Sequence, residues 1–106
     1  MTRKLRPHHE LSAIQSKFAT VADLEITRTA EESARALGFG LQDIVQAVQD
    51  LRISDFAGSS PAHSPPIPGV WHDTYTMRWG GLHLYIKFAG RTIIDVALVS
   101  FKEKGP

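Results

Sequence analysis

The sequence predicts an α+β fold in which N-terminal helices pack on an antiparallel sheet. Three observations predict it. Apolar residues recur at helical spacing through the first half of the chain, and apolar and polar residues alternate through the last third. A proline-rich stretch separates the two halves. The chain has 106 residues, 42% hydrophobic and 22% charged, which is ordinary globular usage at the length of about one domain. It is read as a single domain over 1–106. Residues 1–56 are its mainly helical part, 57–70 a proline-rich loop and 71–104 its antiparallel strands.

In the first helix Leu11, Ile14, Phe18 and Val21 form one face, preceded by Pro7. The second is expected to start at a capping box, Thr29-Ala30-Glu31-Glu32, and to end at Gly38, with Ala30, Ala34 and Leu37 as its narrow apolar face. The short Leu24–Thr27 segment before it can be extended. The third helix runs from about Leu41 to Leu51. Its apolar stripe is Leu41, Ile44, Val45, Val48 and Leu51. Gly58–Gly69 carries prolines 61, 65, 66 and 68, so it is expected to be a surface loop.

The strand half is more specific. Residues 71–79 and 82–88 alternate on either side of Gly80-Gly81, a pair suited to a two-residue hairpin turn. That turn sets Trp79 opposite Leu82, Thr76 opposite Tyr85 and Thr74 opposite Lys87. Cross-strand partners share a face. Trp71, Tyr75, Met77, Trp79, Leu82, Leu84, Ile86 and Phe88 then form a core face, and His72, Thr74, Thr76, Arg78, His83, Tyr85 and Lys87 a polar, basic one. The run from Thr92 to Phe101 reads as one further strand, apolar on both sides. Its expected register puts Ile94, Val96, Leu98, Ser100 and Lys102 on the basic face, with Lys102 level with the Gly80-Gly81 turn.

Composition excludes several classes. There is no cysteine, hence no disulfide scaffold, cysteine-ligated zinc or thiol nucleophile. No apolar run reaches the roughly 18 residues of a membrane span, and the charged start offers no signal peptide, so a cytoplasmic location is expected. His8-His9 has no carboxylate or His-Glu-x-x-His context to support a metal, and none is expected. The net charge of +1 hides an uneven distribution. Arg3, Lys4, Arg6 and Lys17 face only Glu10 in residues 1–18. Residues 19–55 hold seven acids against three arginines. Residues 74–106 carry five basic side chains against Asp95 and Glu103. A basic surface on a near-neutral protein suits a polyanionic partner as well as it suits plain solvation.

The basic face carries the requirements of metal-free RNA cleavage. Cations hold phosphate and stabilise the charge of the transition state, tyrosine stacks or exchanges a proton, and histidine titrates near neutrality. A solvated sheet face has the same composition, and periodicity alone does not separate the two.

A resemblance to a known family rests on longer matches. The pieces are Arg6-Pro7-His8 with Leu11-Ser12, Thr27-Arg28-Thr29-Ala30, Leu37-Gly38, and Leu51 followed by Ser54-Asp55-Phe56. They continue with Trp71-His72-Asp73-Thr74-Tyr75, Tyr85-Ile86-Lys87, and Val99-Ser100-Phe101-Lys102-Glu103-Lys104. In this order and spacing the chain resembles the MqsR toxins of type II toxin–antitoxin modules. The resemblance implies a RelE-like fold with a curved sheet and a sequence-selective, cofactor-free mRNA endoribonuclease that inhibits translation and growth. It also implies an MqsA-like antitoxin partner, with the toxin monomeric on its own. It puts catalytic roles on Tyr85, Lys102 and His72, where the family has glutamine in place of the histidine. Lys87, Arg78 and Lys104 are the expected RNA-binding cations. The family's lysine after Ser-Asp-Phe is replaced by Ala57-Gly58. Two alternatives stay open: a catalytically weak relative that only binds RNA or antitoxin, and a small structural adaptor domain.

Overall fold

Three helices form close to where the apolar spacing puts them. They are α1 (Leu11–Lys17), α2 (Arg28–Ala36) and α3 (Leu41–Asp50). The structure is a computed structural model that describes residues 6–63 and 66–105. Arg3 and Lys4 of the basic N-terminus and Pro65 lie outside the described residues. Ile14 and Phe18 of α1, Ala30 and Ala34 of α2, and Ile44, Ala47 and Val48 of α3 are buried in one core. The cap of α2 differs from expectation. Thr27, two residues earlier than Thr29, is the N-cap, and its hydroxyl accepts from the Ala30 amide at 3.2 Å. A hydroxyl at the residue flanking the first turn meets an amide three residues on, and Thr27 is extended, as an N-cap must be. The helix closes as a Schellman motif. The Phe39 amide donates to Ala34, the Gly38 amide donates to Arg35, and Gly38 takes φ 93°.

Four strands form an antiparallel meander in the order β1 (Phe56–His63), β2 (Pro66–Trp79), β3 (Leu82–Gly90) and β4 (Ala97–Glu103). The fold class is α+β, as the sequence predicts. The β2–β3 register agrees residue for residue, from Thr74 opposite Lys87 to Trp79 opposite Leu82. Gly80 and Gly81 both have positive φ, at 60° and 81°, which suits a two-residue turn between twisted strands. Ile26 bridges Leu98 in parallel, so the segment before α2 is extended and lies along β4.

Two expectations fail. The proline-rich segment is not a loop: residues 56–63 are an edge strand and residues from Pro66 onward begin β2. Proline is admitted to a sheet at its edge, where one side needs no ladder amide, and Pro61 pairs only with Trp71. The last strand also begins later, at Ala97, because Thr92–Asp95 close a turn. The Asp95 carboxylate accepts from the Thr92 amide at 2.8 Å there. A bulge between Lys87 and Phe88 then shifts parity, so that Lys87 faces Ser100 but Phe88 faces Leu98. Val96 and Leu98 are therefore core residues, not members of the basic face, whereas Ser100 and Lys102 remain on it. Ile94 sits in the turn, 82% exposed.

One buried carboxylate joins the N-terminal segment to the sheet. Asp73, 1% exposed, accepts from the backbone amides of His8 and His9, both at 2.9 Å, and from the Ser59 hydroxyl at 2.6 Å. His9 Nε2 also bonds the Gly90 carbonyl at 3.1 Å, and the His8 ring stacks on Trp71. Gly90 has no room for a side chain: a Cβ there would sit 2.6 Å from the Val96 backbone.

Replacing Asp73 with Asn puts an amide group against hydrogen-bond donors and removes the charge they share. Such a change should cost about 2–4 kcal/mol. Ser59→Ala, which leaves both backbone bonds in place, should cost about 1 kcal/mol. Urea denaturation midpoints of the two variants check the ranking, and an Asp73→Asn midpoint equal to the wild type would refute the anchor.

Candidate functional site

The helices cover one face of the sheet, and the opposite face is open. Strand pleating alone decides which side chains project there. On β3, Leu84, Ile86 and Phe88 point into the core, while Tyr85 and Lys87 between them point outward and are half-buried. Lys102 of β4 lies directly opposite Tyr85. Its ammonium sits 5.3 Å from the Tyr85 ring centroid, and the Lys87 ammonium sits 5.5 Å away.

This setting changes the phenol. Partial burial opposes ionisation of Tyr85, but hydrogen bonding to the Lys87 and Thr74 side chains and the positive charges of Lys87 and Lys102 outweigh it. The hydroxyl is held below the ordinary tyrosine range. Tyr75, the other tyrosine, is the opposite case. It is fully buried, its hydroxyl has no partner among the described residues, and burial together with the Asp73 charge pushes it up.

Tyr85 and Lys87 form part of a cleft of about 420 Å³. Its floor is His72, Thr74 and Thr76 of β2 with Tyr85 and Lys87 of β3. Ala57, Ser60 and Pro61 of β1 form one wall, and Lys104 closes the far side. The floor is polar, and lysines are the cations gathered around Tyr85. It is suited to an anionic ligand carrying a flat group, and Tyr85 can exchange a proton with it.

The expected site residues divide as follows. Tyr85, Lys87, Lys102, Lys104 and His72 all belong to the open face, and all but Lys102 line the cleft. Lys102 is not level with the Gly80-Gly81 turn as expected. The late start of β4 and its bulge slide it back to Tyr85. The offset between Lys102 and His72 along the strands is thereby reduced to four residues of rise, about 13 Å. His72, opposite Ala89, stands four residues along the strands from the Tyr85–Lys102 pair. Arg78 is not in the cleft; it lines a separate depression with Arg52. Lys17, counted in the basic N-terminus, is committed elsewhere: its ammonium donates to the carbonyls of Ile94 and Val96 at 2.7 and 2.8 Å. Two contributors are not evident from the sequence. The β1 wall is hidden by its prolines. Thr74 falls on the correct face with no role assigned to it, although its diagonal position to Tyr85 is the available signal.

Among the described residues no three His, Asp or Glu side chains gather so as to hold a metal ion, and no helix is long and apolar enough to cross a membrane. A family model described as "Motility quorum-sensing regulator, toxin of MqsA" matches residues 6–103. No curated protein matches the chain.

The two tyrosines should ionise in separate steps. Followed by phenolate absorbance against pH, one should titrate below the ordinary value near 10 and the other above it. Tyr85→Phe should remove the lower step, and Lys102→Ala should move that step upward. A lower step that survives Tyr85→Phe would contradict the assignment.

Proposed function

The chain belongs to the MqsR toxin family and is thus a toxin of a toxin–antitoxin module, and from that premise we propose that it acts by cutting mRNA on the open face of its sheet. The observation that carries this reading is the pair of lysines set around Tyr85 on a polar cleft.

In the proposed reaction Tyr85, ionised more readily than a free phenol, removes the proton from a ribose 2′-hydroxyl. The 2′-oxygen attacks the adjacent phosphorus and the bond from phosphorus to the 5′-oxygen breaks. The leaving 5′-oxygen takes a proton from the Lys102 ammonium. Lys87 and Lys102 stabilise the extra negative charge on the phosphoryl oxygens as it develops. The products are a 2′,3′-cyclic phosphate and a 5′-hydroxyl, and no metal enters any step. His72, too far along the strand for the same phosphate, contacts a neighbouring nucleotide, with Lys104 holding the backbone at the other side. Ala57 lines the cleft where the family resemblance puts a lysine, and Lys87 and Lys104 are the lysines that line the same cleft. The proposed protein partner is a cognate antitoxin of the MqsA type, and the proposed setting is the cytoplasm.

A weaker role, binding RNA without cutting it, is favoured by the same Ala57, since one fewer cation reaches the cleft.

Purified protein should cleave RNA in EDTA and leave cyclic phosphate ends. Tyr85→Phe and Lys102→Ala should each slow cleavage by roughly one to three orders of magnitude with unchanged thermal stability. Because Lys102 is exposed and Tyr85 lies outside the core, folding offers no alternative explanation. His72→Gln should retain most activity. Near-wild-type rates for both Tyr85→Phe and Lys102→Ala would move the site elsewhere, and an absolute need for a divalent ion would exclude the mechanism.

A further inference from the structure

A second depression, of about 430 Å³, lies at the turn end of β2. Beyond Tyr75 the strand has no β1 partner, since pairing stops at Phe56 opposite Tyr75. The gap is flanked by the Arg52–Asp55 turn. Arg52, Arg78 and Trp79 line it together with Asp50 and Asp55.

The charges there are arranged unusually. Two arginines and two aspartates share the depression, yet among the described residues neither guanidinium meets a carboxylate. The carboxylates are held by uncharged donors instead. Asp50 accepts from Trp79 Nε1 at 2.8 Å and from Gln46 at 2.9 Å, and Asp55 accepts from the Arg52 backbone amide at 2.8 Å. Both arginines are exposed. Trp79 is oriented by its bond to Asp50 and by an edge contact with Phe39, with ring centroids 5.4 Å apart, and it remains half-buried.

We propose that this depression binds the nucleotide of single-stranded RNA next to the one held in the Tyr85 cleft. The proposal rests on the RNA-cutting reading above and extends it by a site. Arg78 projects from the same face as Thr76, two residues along β2, and Thr76 lines the cleft. The step between them is about 6.6 Å of strand, short enough for one RNA chain to touch both. The absence of β1 beyond Tyr75 leaves the way from one to the other open at this edge. Arg52 and Arg78 hold the phosphate through their guanidinium donors, and the Trp79 ring supplies a surface for the base. The depression is neutral in sum. That suits one singly charged phosphodiester with an uncharged base better than a free phosphate ion, whose further negative charge would add to the two aspartates.

The test is equilibrium binding in the Tyr85→Phe background with 2′-O-methylated RNA, which has no 2′-hydroxyl to attack and is not cut. The probes are uridine 3′-monophosphate, which fills only the cleft, and a longer oligouridine. Arg52→Gln and Arg78→Gln should each weaken the longer RNA by roughly tenfold, the loss of one charge-assisted hydrogen bond. They should leave the mononucleotide unchanged. The slope of log affinity against log salt should shrink by about 0.7 for each phosphate that is no longer neutralised. Wild-type affinity of both variants for the longer RNA would overturn the proposal while leaving the cleft intact. So would normal RNA binding combined with failure to capture the co-expressed antitoxin, which would assign the depression to a protein. Failure of the parent protein to bind either RNA would overturn this site and the RNA-cutting reading together.

Discussion

Pleat parity governs this molecule. A strand turns alternate side chains to opposite faces, and a shift of one residue exchanges the faces completely. Gly80 and Gly81, both at positive φ, close the β2–β3 turn without adding a residue, and this sets Tyr85 and Lys87 outward while Ile86 and Phe88 go inward. The bulge beside Lys87 changes parity once. On its near side Ser100 and Lys102 stay outward. On its far side Leu98 and then Val96 turn into the core. Without that extra residue Leu98 would lie in water and the core would lose a fully buried side chain, worth about 1.5–3 kcal/mol. The same irregularity brings Lys102 opposite Tyr85, so one backbone feature serves both packing and the proposed chemistry.

The Asp73 anchor secures the other side of the cleft. Ser59 and Asp73 are cross-strand partners on the buried face, and Ser60 and His72, one residue on and one residue back, are partners on the open face. The buried bond that seals β1 to β2 therefore also fixes the wall of the cleft. An edge strand containing proline pairs on one side only and is the part of the sheet most in need of such a tie. His8 and His9, a weak metal pair by sequence, contribute their backbone amides to that carboxylate instead.

The helices and the central hairpin were legible because periodicity and turn chemistry agreed there. The Gly80-Gly81 pair is a local signal, and the register of β2 against β3 followed from it without tertiary information. What was not legible depends on context. Proline excludes a central strand but not an edge strand, and nothing in residues 57–70 announced which edge was available. The run from Thr92 to Phe101 is mostly apolar, so its alternation could not reveal a bulge. Its buried residues, Val96, Leu98 and Phe101, break the period of two. Tyr85, Lys87 and Lys102 were placed on the open face from sequence, but the meeting of Lys102 with Tyr85 was not foreseen, because it needed that bulge. Arg78 was assigned to the correct face, but its place in a separate depression was not legible, since a shared face says nothing about distance along it.

That the open sheet face is the RNA surface is tested most directly by an amide NMR titration with a single-stranded DNA oligonucleotide, which lacks the 2′-hydroxyl and is not cut. Shifts should concentrate on Thr74, Thr76, Tyr85, Lys87 and Lys102, and leave the α1 amides in place. Shifts confined to the helices, with the strand amides unmoved, would contradict it.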